Sequence, residues 1–299
     1  MTKRKDRESI EWTNTWWADA NTNNRRGILI GDSTTRQLRG KVEKLLKNFY
    51  AVDLFASSFS LHDRRLEDYI NLLFKNDEYR YDFLVLNYGG HHGFSRLCHE
   101  NPKEYEAYRK RYSEFVRYLL EKCKKIVCVT GTSEVTDGDV KIIDEEVERE
   151  VVARNQIVAD VARVYGLEVF DLHDLMKRNR KVYTHFDRWH FNVDSDYFTS
   201  YHLLQFMKER DIIDSKRIHE ICECARERIF NAWGRKKKCI IYGTGTVGIE
   251  LYWILKWYGM EDKISCFTVS QKTYKDNIFD KPVVPISDLT FEKNKNCIM

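Results

Sequence analysis

The chain has 299 residues, of which 42% are hydrophobic and 32% are charged. A chain of this length can bury the core of one large domain and a smaller one. Its 50 Lys and Arg residues and 46 Asp and Glu residues are interleaved almost everywhere, which excludes the concentrated basic surface of a nucleic-acid-binding protein.

Residues 1–24 are interpreted as an N-terminal arm. The arm has basic residues but no apolar run after them, so it is unlike a secretory signal. No part of the chain approaches the roughly 18 apolar residues of a membrane span, and we expect a cytoplasmic protein. Three tryptophans of the arm either stack on a sugar or dock the arm on the first domain; they are Trp12, Trp16 and Trp17.

Residues 25–212 alternate short apolar runs with longer amphipathic segments. The runs suit strands that are buried on both faces; they are 27–31, 50–56, 82–88, 125–131 and 167–172. The clearest helical stripe follows the first run and consists of Leu38, Val42, Leu45, Leu46 and Phe49. Further helices are predicted at 101–123, 144–165 and 196–210. This alternation predicts an α/β fold with a five-stranded parallel sheet and helices on both faces.

Polar side chains follow the predicted strands. In open parallel sheets, ligands bind beyond the carboxyl ends of the strands. The segments at these ends are GDSTT (31–35), SSFSLHD (57–63), NYGGHHG (87–93), GTSEV (131–135) and, after the last strand, DLHDLM (171–176) and THFDRWHFN (184–192). One rim of the sheet therefore collects serines, histidines, an asparagine and acids.

Ser33 follows the first strand and is either a helix cap or a nucleophile. A serine hydroxyl needs a base to take its proton, and the base needs a third group to hold its tautomer. Asp187 lies three residues before His190, so one turn lets the carboxylate accept from Nδ1–H while Nε2 faces Ser33. Both segments lie just past strand ends, and the predicted fold brings them together.

Three segments carry a resemblance to the SGNH/GDSL hydrolases, which spans about residues 25–212. ILIGDSTTRQL (28–38) and FDRWHFNVDSDYFTSYHLL (186–204) resemble the first and last blocks of that family, and RNQIVADVARVYGLEVFDLHDLM (154–176) resembles the helix and strand before the last block. The resemblance implies a flavodoxin-like α/β/α sandwich. It also implies a Ser33–His190–Asp187 triad that transfers or hydrolyses an O-acyl ester, with no metal required.

Two middle blocks depart from the family pattern and bear on the oxyanion hole. Ser60 occupies the position of a family glycine whose backbone N–H helps to form the oxyanion hole. A serine at this position still has a backbone N–H that can donate. In the next block, the family has Gly-x-Asn, whose asparagine donates to the oxyanion. Aligning this block by the end of the strand assigns that role to Asn87, whereas aligning it by the glycine pair assigns it to His91. We favour Asn87 and keep both. The backbone N–H of Ser33 is the third donor, at the positive end of the following helix.

The histidine-rich loop after residue 88 also raises the possibility of a metal site, formed by His91, His92, His99 and Cys98. Adjacent histidines point apart, and the spacings of structural zinc sites are absent, so we expect these residues to line a pocket. No metal or other cofactor is predicted. The eight cysteines show no paired spacing and are interpreted as reduced thiols.

A connecting helix is predicted over 213–235, followed by a partial Rossmann-like domain over 236–299. IIYGTGTVGIEL (240–251) places Gly243, Gly245 and Gly248 between a strand and a helix, as in a phosphate-binding turn. The acidic residue expected after the next strand is missing, and tight strand–helix packing without a ligand is the alternative. The piece resembles the small Rossmann-like modules of bacterial surface-polysaccharide biosynthesis proteins.

The sequence therefore predicts a serine-dependent esterase, deacetylase or O-acyltransferase. Its expected partner is a small-molecule or glycan acyl ester, with a carbohydrate or sugar-linked metabolite implied by the C-terminal resemblance. Triad chemistry alone does not choose between hydrolysis and transfer. The alternative is a nucleotide-sugar or dinucleotide-binding module whose SGNH-like domain is a non-catalytic scaffold.

Overall fold

A computed structural model of the chain describes residues 11–20, 25–74, 80–88, 100–136, 139–183, 187–235, 237–271, 276–290 and 297–298. The strands that precede residue 171 are β1 (Thr13–Trp16), β2 (Arg26–Gly31), β3 (Ala51–Ser57), β4 (Tyr81–Asn87), β5 (Ile126–Val129), β6 (Val135–Thr136), β7 (Asp139–Ile143) and β8 (Glu168–Phe170). Six of them form one sheet in the order β1-β3-β2-β4-β5-β8, and β6 pairs with β7 in a separate antiparallel hairpin.

The five predicted strands are all present, and they pair in parallel. Numbered among themselves along the chain, they lie in the order 2-1-3-4-5, which is the doubly wound order of flavodoxin-like folds. The chain reverses direction across the sheet between β2 and its two neighbours, β3 and β4. This topology places the ends of β2, β3 and β4 side by side at one rim.

The predicted five-stranded sheet lacked β1, which pairs antiparallel with β3 at the sheet edge. The sequence Thr13-Asn14-Thr15-Trp16 has no continuous apolar run, because an edge strand needs to bury less of its surface. The arm is fixed further along by the backbone N–H of Ala18, which donates to the buried Asp53 at 2.8 Å. The structure thus shows residues 11–20 of the arm docked on the first domain.

Helices cover both faces of the first sheet. They are α1 (Ser33–Leu45), α2 (Arg65–Phe74), α3 (Pro102–Leu120), α4 (Glu145–Tyr165), α5 (Leu172–Arg178) and α6 (Val193–Glu209). Side chains alternate along β2, with Leu29 in the cluster under α1 and α6, and with Ile28 and Ile30 in the cluster under α2, α3 and α4. The observed architecture is an α/β/α sandwich.

The second sheet begins after α7 (Ser215–Trp233), the predicted connecting helix. Its strands are β9 (Lys238–Tyr242), β10 (Ile264–Val269), β11 (Asn277–Ile278), β12 (Lys281–Pro285) and β13 (Cys297–Ile298), in the order β11-β12-β10-β9-β13. The helix α8 (Thr246–Trp257) connects β9 to the parallel strand β10. The predicted strand–turn–helix–strand unit is therefore present in this part of the chain.

The two sheets share one hydrophobic cluster, because α8 packs against α6. Trp253 of α8 is buried, and its ring centroid lies 5.1 Å from that of Tyr201 and 5.9 Å from that of Phe198. Buried side chains of both sheets belong to this cluster. Among the described residues, no helix is long and apolar enough to cross a membrane.

Candidate active site

Ser33 is placed at the carboxyl end of β2 by the Gly-Asp-Ser turn. A Cβ at Gly31 would lie 2.2 Å from the carbonyl oxygen of Asn87, so only glycine permits this close approach of β2 to β4. Asp32 is the N-cap of α1, and its carboxylate accepts from the backbone N–H of Thr34 at 3.0 Å. Asp32 is therefore the cap, which leaves the hydroxyl of Ser33 available for other contacts.

Ser33, His190 and Asp187 form a continuous chain of side-chain contacts. The Oγ of Ser33 lies 2.8 Å from His190 Nε2, and His190 Nδ1 lies 2.7 Å from Asp187 Oδ2. The serine and the histidine are 157 residues apart in the sequence. They meet because Ser33 begins α1, His190 precedes α6, and these two helices pack together.

The carboxylate of Asp187 is held by the turn that follows it. Its Oδ1 accepts from the backbone N–H of Trp189 and of His190, each at 2.7 Å. Burial acts to raise the pKa of Asp187, but the hydrogen bonds from His190 and the backbone outweigh burial, and the pKa lies below its ordinary value. Asp187 is therefore an anion at neutral pH.

An anionic Asp187 fixes the tautomer of the neutral imidazole. Because the carboxylate only accepts, Nδ1 of His190 carries the proton and donates it to Asp187. Nε2 is then the acceptor, and the hydroxyl of Ser33 donates to it. This arrangement can remove a proton from the serine and return it to a leaving group.

The loop that carries Asp187 and His190 is anchored to the β6–β7 hairpin by Arg188. The backbone carbonyl of Arg188 accepts from the N–H of Val135 at 3.2 Å. Its guanidinium lies 3.1 Å from a carboxylate oxygen of Asp144 and 3.5 Å from one of Glu134, which is buried. The anchor was not predicted from the sequence, since Arg188 lies more than 40 residues from either carboxylate.

A second carboxylate lies near His190 on the α6 side. Asp196 is 2% exposed and forms an ion pair of 2.9 Å with Lys41 of α1. Burial raises its pKa to about 6, against the opposing effects of Lys41 and of His190. Its Oδ1 has no hydrogen-bond partner within the described part of the chain. Asp196 was not predicted from the sequence as a residue near the site.

The predicted oxyanion donors have different surroundings. Asn87 is paired in register with Gly31, and its Nδ2 donates to the Oγ1 of Thr34 at 3.1 Å. The amide therefore lies beside the residue that follows Ser33, and it has a second N–H. Ser60 is buried in the loop after β3, and its Oγ has no partner among the residues that the structure describes. His91 lies outside the described residues.

Two glycines of the C-terminal motif, Gly243 and Gly245, lie in the turn between β9 and α8, and Gly248 lies in the first turn of α8. Gly243 has φ +90°, a left-handed conformation that glycine adopts without strain. A Cβ at Gly248 would lie 2.2 Å from the carbonyl oxygen of Gly243. These two glycines thus have a conformational and a packing role. Gly245 is the N-cap of α8, and a Cβ there would meet no atom within 4 Å.

The predicted histidine-rich pocket, including His92, Cys98 and His99, lies outside the described residues. Where the structure is described, no three His, Cys, Asp or Glu side chains are grouped as metal ligands. The described cysteines are free thiols.

Comparison with known proteins finds no matching family model and no matching curated protein. Similar solved structures include the acetyl xylan esterase AlAXEase, with 16% identity over 60% of this chain and 98% of that chain and a TM-score of 0.44. A second is Axe2, an acetylxylan esterase from Geobacillus stearothermophilus, with 14% identity over 60% of this chain and 93% of that chain and a TM-score of 0.45. A third is LAE5, an alpha/beta hydrolase from the metagenome of Lake Arreo, Spain, with 14% identity over 60% of this chain and 94% of that chain and a TM-score of 0.46. These identities and TM-scores are low, so a function can be inferred only from the residues of the site.

Proposed function

We propose that the chain is a serine-dependent acyl-ester hydrolase of the SGNH type, or a related O-acyltransferase. The observation that carries the proposal is the contact chain from Ser33 Oγ through His190 to Asp187, with distances of 2.8 and 2.7 Å. A serine used only as a helix cap needs no imidazole, and Asp32 already caps α1. Catalysis is the simplest explanation of this arrangement.

Ser33 is proposed to attack the acyl carbonyl carbon while its proton moves to Nε2 of His190. The negative charge that develops on the carbonyl oxygen is stabilised by the N–H groups of Ser33 and Ser60 and by the side chain of Asn87, or of His91 in the alternative assignment. The imidazolium returns its proton to the leaving alkoxide, and an acyl-enzyme results. Asp187 orients the imidazole and stabilises its charge.

The acyl-enzyme is resolved by a second attack. Water, activated by His190, releases the carboxylic acid, whereas a sugar hydroxyl in the same position gives a new ester. In both cases the proton returns to Ser33, and the enzyme is restored. The two outcomes use the same residues, so a single set of variants tests both.

The proposed substrate is an O-acylated carbohydrate. Trp189 immediately precedes His190 and is 48% exposed, and a tryptophan face at the entrance of a site suits the apolar face of a sugar ring. The guanidinium of Arg188 lies 5.8 Å from the centre of the Trp189 ring and restricts the orientation of that side chain. A sugar that stacks on Trp189 would place an O-acyl group close to the imidazole.

Labelling with a fluorophosphonate and turnover of p-nitrophenyl acetate test the proposal. We expect the full chain to be labelled and active, and Ser33→Ala, His190→Ala and Asp187→Asn each to reduce kcat by about 10³-fold or more, because triad residues act as a unit. Ser287→Ala is the matched control, since Ser287 is exposed and its hydroxyl donates to its neighbour Asp288. Wild-type labelling in Ser33→Ala, or no labelling of the folded chain, would refute catalysis and favour the binding-module alternative.

A further inference from the structure

A groove lies between α1 and the edge strand β1, one helical turn from Ser33. Its volume is about 330 Å³, and it is lined by Asn14, Trp16, Arg36, Gln37, Arg39, Gly40, Lys41 and Leu54. Residues three and four positions apart lie on the same side of a helix, so Arg36 and Gln37 follow Ser33 on its side of α1. The rise of about 1.5 Å per residue places Gly40 about 10 Å from Ser33 along the helix axis.

Arg36 is the cation of this groove that lacks a carboxylate partner in the described ranges. Arg39 pairs with Glu43 at 2.8 Å and Lys41 pairs with Asp196 at 2.9 Å, whereas Arg36 has no carboxylate partner among the described residues. Its guanidinium lies 4.9 Å from the centre of the Trp12 ring. Stacking on the indole orients the guanidinium and leaves its N–H groups able to donate to an anion.

The remaining lining suits a sugar ring. Trp16 is 52% exposed, and Arg39 lies 4.7 Å from the centre of its ring. The side-chain Oε1 of Gln37 is buried and has no hydrogen-bond partner in the described part of the chain. A buried polar atom of this kind is costly unless a ligand or water satisfies it. An indole beside an amide is a combination that binds the apolar face and the hydroxyls of a saccharide.

Gly40 keeps the groove open. Glycine inside a helix is less favourable than alanine, and such a residue usually has a packing reason. Here a Cβ would meet no atom within 4 Å, so no neighbouring part of the described protein requires the glycine. A side chain at this position would instead occupy the groove.

From these observations we infer that the groove is a subsite for a saccharide that carries an anionic group, with Arg36 binding the anion. The inference deepens the proposed function and rests on it for the role of Ser33, because the subsite would hold the sugar portion of the ester. A carboxylate and a phosphate offer the same chemistry to Arg36. The class of substrate is therefore an acylated acidic sugar, either a uronate or a sugar phosphate.

Titration calorimetry of the full chain tests binding without any ester hydrolysis. The probes are trigalacturonate, glucose 1-phosphate and neutral xylotriose. We expect one of the anionic probes to bind at least about 10-fold more tightly than xylotriose, and Arg36→Gln to remove that preference. Lys47→Gln removes an equal charge beyond the other end of α1, at an exposed position, and is the matched control.

Gly40→Leu tests the shape of the groove independently of its charge. Leucine favours a helix more than glycine does, so the variant is expected to fold, which its thermal unfolding midpoint checks. We expect it to weaken binding of the anionic sugar by 10-fold or more. Equal binding of anionic and neutral sugars, no binding by any probe at millimolar concentration, or full binding by both variants would each overturn the inference.

Kinetics separate this inference from the proposed function. We expect the ratio of kcat/KM for an O-acetylated oligogalacturonide to that for an O-acetylated xylo-oligosaccharide to fall at least about 10-fold in Arg36→Gln and to be unchanged in Lys47→Gln. Sugar binding without hydrolysis of any ester would refute the proposed function and leave the subsite. Hydrolysis with a ratio that does not respond to Arg36 would refute the subsite and leave the esterase.

Discussion

Two carboxylates near His190 have opposite electrostatic environments. Asp187 accepts three hydrogen bonds, and its pKa is lowered. Asp196 is buried beside Lys41, and its pKa is raised to about 6. When neighbouring environments separate two pKa values in this way, the two groups take different roles. Asp187 is suited to hold the imidazole as a permanent anion, whereas Asp196 changes its charge within the range in which enzymes are commonly assayed.

Replacement of Asn87 is expected to slow the chemical step. Its amide donates to Thr34, the residue that follows Ser33, so Asn87→Ala should lower kcat for ester hydrolysis by about 10²–10³-fold with little change in KM. Steady-state kinetics with p-nitrophenyl acetate measure this effect. Thr34→Val removes the orienting acceptor and a hydrogen bond to Asp32 but keeps the Asn87 amide, and it should lower kcat less. A large loss in His91→Ala, with none in Asn87→Ala, would assign the donor role to His91.

Asp196 is expected to make the stability of the protein depend on pH. Its folded-state pKa of about 6 lies above its ordinary value of 3.8, so the folded state binds the proton more tightly than the unfolded state does. The contribution of Asp196 to the free energy of unfolding should therefore fall as pH rises from about 4 to 6 and then level off. A shift of about two units corresponds to about 3 kcal/mol.

Asp196→Asn removes this titration. Urea unfolding of both proteins between pH 4 and 7 gives the difference in their free energies of unfolding. We expect this difference to move in favour of the variant as pH rises to 6, on top of a pH-independent change from replacing the protonated acid by an amide. A difference that is the same at every pH would show that Asp196 keeps an ordinary pKa.

At the scale of elements, the strands that could be predicted from the sequence are those with a continuous run of apolar residues. The buried strands β2 to β5 appear as apolar runs, and Ser33 and His190 could be placed at one rim because they follow such runs. The edge strand β1 was missed because it has no apolar run. The β6–β7 hairpin was also missed, although the sequence contains Asp137-Gly138, a dipeptide typical of hairpin turns, one residue away from Val135 and from Val140.

The missed parts of the site depend on tertiary contacts. Arg188 meets Asp144 and Glu134 only after the hairpin has packed against the triad loop, and Lys41 meets Asp196 only after α1 has packed on α6. No spacing in the sequence specifies such pairs. Sequence patterns therefore indicate candidate reactive groups, whereas tertiary contacts determine which residues position them.

Arg188 is expected to act as a positioning residue for the triad loop. Arg188→Ala leaves Glu134 and Asp144 without this cation and loosens the loop, so kcat should fall by about 10-fold or more while KM changes little. Arg188→Lys should recover part of the loss because the charge is restored. Arg178→Ala, which breaks an exposed pair with Asp174, is the control. Equal losses in kcat and stability, with no recovery by lysine, would indicate a purely structural role.

At the scale of the whole molecule, the second sheet supports the helix that follows His190. α6 begins at Val193, three residues after His190, and packs on α8 through Tyr201 and Phe198. Lys44 of α1 also forms an ion pair with Glu250 of α8. Both α1, which begins at Ser33, and α6, which follows His190, therefore contact α8. Loss of the packing of α8 should change the positions of these two side chains.

Trp253→Ala tests this coupling. Removing a fully buried tryptophan should lower the free energy of unfolding by about 3–5 kcal/mol. Because both sheets share one hydrophobic cluster, urea unfolding should remain a single transition, with ester hydrolysis lost at the same urea concentration as tryptophan fluorescence and helical circular dichroism. Val247→Ala is the control on the same helix, since Val247 is 80% exposed, and it should change stability by less than about 0.5 kcal/mol. Two separate transitions in Trp253→Ala, with hydrolysis persisting through the first, would show that the first domain and its active site are stable without the packing of α8.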